Sequence, residues 1–160
     1  KTNGLCMIES ITPVLSLIES AAKAMNWFAD LRKKTKGEVR ALIEELKENS
    51  RLCFRVIEDG VAPAEVIPKF STTVFDRLNE SGFDFNAVKR SDIAAYEGIE
   101  KSDLASWAGK STHALIENIY DKIKDLRSLQ LASGASSRRI GPRIINIHKR
   151  ILLLLRHAKS

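Results

Sequence analysis

The chain has 160 residues, 44% apolar and 29% charged, with a formal net charge of +6. That length can bury a core without staples, and 8 Gly, 4 Pro and 2 Cys exclude collagenous, disordered and disulfide-scaffold classes. The charge is uneven: residues 1–120 carry 16 basic against 18 acidic side chains, whereas residues 121–160 carry 10 against 2. A one-sign segment of this kind attracts phosphates, anionic lipid or an acidic protein face.

No apolar run approaches the ~20 residues of a spanning helix; the longest clean one is Ile151 to Leu155. The start of the chain lacks the basic, apolar and small-residue regions of a secretory signal. Cys6 and Cys53 form no CxxC pair, so two free thiols in a reducing cytoplasm are expected.

Thr12 and Pro13, a capping hydroxyl and a first-turn proline, open a predicted helix over 12–33. Its apolar residues, from Val14 and Leu17 to Phe28 and Leu31, cover about 200° of its circumference, as suits an inner bundle helix or one half sunk in something apolar. With Trp27 and the basic cluster Arg32, Lys33, Lys34 and Lys36, residues 12–36 also offer a peripheral membrane contact. A second helix is predicted over 38–59, ending at Gly60, with Val39, Leu42, Ile43, Leu46, Cys53 and Ile57 in one stripe. Asn49 and Ser50 lie on or beside that stripe and need partners if buried.

Residues 61–101 read as short helices over 63–68, 72–81 and 87–97. They hold five of the ten aromatics, Phe70, Phe75, Phe83, Phe85 and Tyr96, which a solvated linker would not carry. The third long helix is predicted from Ser102 and Asp103 to Gln130, a small-residue loop follows over 132–137, and the last helix spans 141–159. The expectation is one all-α domain over 1–160: an up-down-like bundle of four long helices with a short-helix crossover at 61–101.

Gly109, Lys110, Ser111 and Thr112 share the end of a phosphate-binding Walker loop. The earlier glycine and the leading strand are missing, so a small-residue helix contact or a local kink at Gly109 is the reading. His113 and Glu117 share a helical face without enough neighbours for a metal shell, and no metal or cofactor is expected. Glu44, Glu45 and Glu48 read as a solvated face.

The final helix carries the functional argument. Arg139, Asn146, Arg150 and His157 share a stripe with Arg143, flanked by Arg138, Lys149 and Arg156. The isoleucines and leucines take the other side, with His148 among them between Leu152 and Leu155. The basic binding face is therefore Arg138, Arg139, Arg143, Lys149, Arg150 and Arg156. It points to a non-enzymatic interaction module that meets an acidic protein surface or self-associates, with nucleic acid as a further candidate. The tail has no aromatic residue for base stacking.

Two spacings, Arg143 with four residues before His148 and Arg150 with six before His157, resemble the RNase motif of HEPN-type helical bundles. That resemblance implies a paired bundle that cuts RNA without a metal. Arg150 and His157, two turns apart on one stripe, would be the catalytic pair, and Arg143 and His148, which diverge around the helix, the second choice. A metal-independent ribonuclease or RNA-binding bundle is thus the competing reading.

Overall fold

The computed structural model describes residues 21–133 and 140–160. Its helices are α1 (Ala21–Lys34), α2 (Gly37–Ile57), the short α3 (Pro63–Val66), α4 (Thr73–Glu80), α5 (Thr112–Ser133) and α6 (Ile140–Lys159). Tight 3-10 turns lie at Ile67–Lys69, Phe85–Ala87 and Asp103–Trp107. The fold is all-helical, with no strand among the described residues. Residues 12–20 of the first predicted helix, and Arg138 and Arg139, lie outside them.

The helix α6 is the centre of the bundle, packing against α1, α2 and α5. It buries Ile140, Ile144, Ile145, Ile147 and the run Ile151, Leu152, Leu153, Leu154 and Leu155. Full burial of such side chains is worth about 1.5–3 kcal/mol each before entropy is subtracted. Ala24, Phe28 and Leu31 turn the described part of the first helix's apolar arc into this same core. The turn between α2 and α3 is set by Gly60, whose φ of +70° suits glycine and lets the Val61 N–H reach the Arg55 carbonyl at 3.0 Å.

The crossover is tied down by aromatic stacking. Phe75 of α4 lies between Phe85, at 5.0 Å, and Tyr120 of α5, at 4.3 Å between ring centroids. Asn49, fully buried on α2, donates to the Ser71 carbonyl and accepts from the Ser71 N–H, both at 2.9 Å.

Three expectations change. The third long helix starts at Thr112, because Ser102 caps only a 3-10 turn and Gly109, at φ +86°, breaks the chain direction before α5. Residues 87–97 are irregular: Ile93, Tyr96 and Ile99 are buried at spacings of three, which mimic a helix. The backbone there instead exchanges hydrogen bonds with Gly109 and Lys110, 2.8 and 2.9 Å from Ile93. Glu45 is no part of a solvated face. It is buried, and its carboxylate accepts from the N–H groups of Val74 and Phe75 at 2.8 and 3.1 Å and from Ser71 Oγ at 2.7 Å. A side chain of α2 thereby caps the N-terminus of α4.

Candidate functional site

The expected single positive ridge on the last helix is divided among three places. Lys159 at the end of α6 pairs with Asp30 of α1 at 3.0 Å and sits over Trp27. Arg156 lies over the Tyr96 ring, its guanidinium carbon 4.8 Å from the centroid. Lys149 and Arg150 are buried and share one carboxylate, Asp103, at 2.8 and 3.3 Å. The 3-10 turn at Asp103–Trp107 brings this acid over α6, so the helix carries its cations inward as well as its leucines.

Within the chain, neither Arg–His pair is in contact. Arg150 donates to the Asn146 carbonyl at 3.0 Å and to Asp103. His157 is 1% exposed, with Nε2 2.8 Å from Thr112 Oγ1, whose hydroxyl also lies 2.6 Å from the Lys89 carbonyl. No hydrogen bond or ring contact joins Arg150 to His157. His148 is fully buried, 3.2 Å from Ser50 Oγ and edge-on to Phe54, and Arg143 is not among its partners. Burial holds both imidazoles below the ordinary histidine pKa, His148 at about 3; for His157 the Lys89 charge adds to this, against the Ser91 carbonyl and Asp92. Rings so enclosed offer no nitrogen to a substrate in water. RNA incubated with the protein in EDTA is therefore expected to stay intact on a denaturing gel. Cleavage abolished by Arg150→Ala or His157→Ala would favour the competing reading.

The other sequence candidates have structural work. Thr112 is buried under His157, and Lys110 lies over the Trp107 ring, so Gly109 to Thr112 form a turn and not a phosphate cradle. His113 Nδ1 accepts from the Phe85 N–H at 3.1 Å while Nε2 lies 3.4 Å from Glu117. Among the described residues no group of three or more His, Cys, Asp or Glu is placed to hold a metal. Nor is any described helix long and apolar enough to cross a membrane.

What remains is the seam between α5 and α6. Arg143 and Arg150 of α6 lie within charge–charge reach of Lys122 of α5, and half-buried Asn146 sits between the two arginines along α6. The Lys122 ammonium has its pKa lowered by burial and then by the Arg150 and Arg143 charges, with Asp125 and Asp103 opposing. It thus lies within electrostatic reach of all four. Burial pushes the Asp103 carboxyl upward, but the hydrogen bond and charge of Lys149, and then Arg150, outweigh it and hold the acid below its usual value.

Several polar groups here lack a partner, among them the buried Oδ1 of Asn118. Lys122 and Arg143, both half-buried, have no hydrogen-bond or ion-pair partner among the described residues, and the buried Nε atoms of Arg143 and Arg150 are also unpartnered. Of the predicted basic face, the seam keeps Arg143, Lys149 and Arg150 and releases Arg156. Sequence reasoning missed Lys122 and Asp103. Asn118, Lys122 and Asp125 recur at intervals of four and three on one side of α5, but that helix carries other polar residues around it, so the spacing alone does not single out Lys122.

Compared with known proteins, the chain matches no family model, no curated protein and no solved structure at a significant level.

Proposed function

We propose that this chain is a non-enzymatic interaction module, a bundle built on four long helices, that docks an acidic protein partner across the α5–α6 seam. The observation that carries the reading is the charge imbalance there. Lys122, Arg143, Lys149 and Arg150 converge where Asp103 and Asp125 are the facing carboxylates, and two of the four cations lack a partner. A half-buried cation short of acceptors is held in a lower effective dielectric than a solvated one, so an arriving carboxylate gains more from it. The seam residues include no aromatic side chain for stacking a base, which favours protein over single-stranded nucleic acid.

Fluorescence anisotropy with a labelled glutamate-rich peptide tests this. Binding is expected to weaken as salt rises from about 50 to about 200 mM, because the screening length shortens. The double change Lys122→Ala with Arg143→Ala should weaken binding about tenfold through loss of two charge-assisted contacts. Lys33→Ala with Lys34→Ala, at the exposed end of α1, should leave it nearly unchanged. The reverse ranking of the two double variants would contradict the seam as the docking site.

A further inference from the structure

We infer that the group recognised at the α5–α6 seam is a phosphorylated side chain of the partner, a phosphate monoester held by Lys122 and Arg143 in front of the Asp103–Lys149–Arg150 cluster. This rests on the docking reading above and specifies its ligand. The charge count favours it. Four cations face Asp103 and Asp125, leaving two positive charges to be met. A carboxylate brings one negative charge, whereas a phosphate monoester carries about −1.5 to −2 at neutral pH.

The donor chemistry points the same way. Arg143 of α6 carries a planar fork and Lys122 of α5, within reach of its charge, a compact ammonium, and neither has a hydrogen-bond or ion-pair acceptor among the described residues. A monoester has three free oxygens to share between them, whereas a carboxylate has two. Arg150 is 9% exposed and already donates to Asp103 and to Asn146, so it acts as a fixed charge behind the site and not as the gripping residue. Asn146, half-buried between Arg143 and Arg150 on the same helix, lies within the span that the ligand would cover.

The test uses three labelled peptides with neutral flanking residues, bearing phosphoserine, glutamate or serine at one position, titrated into the full chain. The phosphoserine peptide is expected to bind about tenfold or more tightly than the glutamate peptide, and the serine peptide not measurably. Its affinity should rise between pH 5 and pH 7 as the phosphate loses its second proton near pH ~6, and inorganic phosphate should displace it. Arg143→Ala and Lys122→Ala should each weaken it severalfold. Arg143→Lys, which keeps the charge and loses the fork, should fall between wild type and Arg143→Ala. Circular dichroism of each variant checks the fold.

Equal affinity for phosphoserine and glutamate peptides, both dependent on Lys122 and Arg143, would overturn the phosphate assignment and leave the docking reading standing. No binding of either would overturn both. Phosphopeptide binding indifferent to both residues would overturn the site, and a 5′-phosphorylated oligonucleotide that outcompetes the phosphopeptide would overturn a protein ligand.

Discussion

Moving from pH 7 to pH 5 is expected to remove about 2 kcal/mol of folding stability through His148 alone. The imidazole is fully buried on α6 and burial lowers its pKa from 6.5 to about 3. A histidine whose folded pKa lies below its unfolded value takes its proton first in the unfolded chain. Its contribution is therefore complete above about pH 6.5 and is lost progressively as the pH falls toward 3. His157, also held low by burial, acts in the same direction. Asp30, Glu44 and Asp103, held below their usual values by basic partners, lose stability in the same sense but at lower pH, where carboxylates protonate. Urea unfolding at pH 7 and pH 5 reads the histidine effect. His148→Gln keeps a polar group opposite Ser50 without the titration and should flatten the difference. Equal pH losses in wild type and variant would contradict the assignment.

The second large effect is at Glu45. Glu45→Ala should cost about 2–4 kcal/mol, because it strips the acceptors from two N–H groups in the first turn of α4 and from the Ser71 hydroxyl. Thr72, at the cap position of that helix, makes no side-chain capping bond, so nothing local replaces the lost carboxylate. Glu45→Gln keeps an acceptor but not its charge and should cost roughly half as much. Thermal unfolding should show a drop of about 5–15 °C for the alanine variant. A loss under about 0.5 kcal/mol would mean that water caps α4 as well as Glu45 does.

These two residues show what the sequence discloses. The interior place of His148 is legible in its position between Leu152 and Leu155 on the helical wheel, and its need for a partner follows from that. Ser50 is legible on the α2 stripe as a polar group in want of one; the structure sets the two 3.2 Å apart. Glu45 is not legible, since a glutamate between Glu44 and Glu48 carries no mark that a helix N-terminus some 30 residues later will fold onto it.

The same limit governs the site. The basic content of the last helix is plain in composition, but its exposure is not. Asp103 reaches Lys149 and Arg150 across more than forty residues of chain, and only the 3-10 turn at Asp103–Trp107 places it there. The wheel assigns cations to the outside by default, a rule that fails when a distant carboxylate follows them in. Lys122 belongs to an unremarkable polar strip until α6 lays Arg143 and Arg150 beside it.

The seam as the anion-binding surface is tested most directly by amide chemical-shift mapping of the labelled protein during titration with the phosphoserine peptide. The account predicts that the largest shifts cluster at Asn118, Lys122, Arg143, Asn146 and Arg150, with Asp103 moving as its cations are shared. Shifts centred on Arg32 to Lys36, at the junction of α1 and α2, or spread evenly over the basic surface, would contradict it.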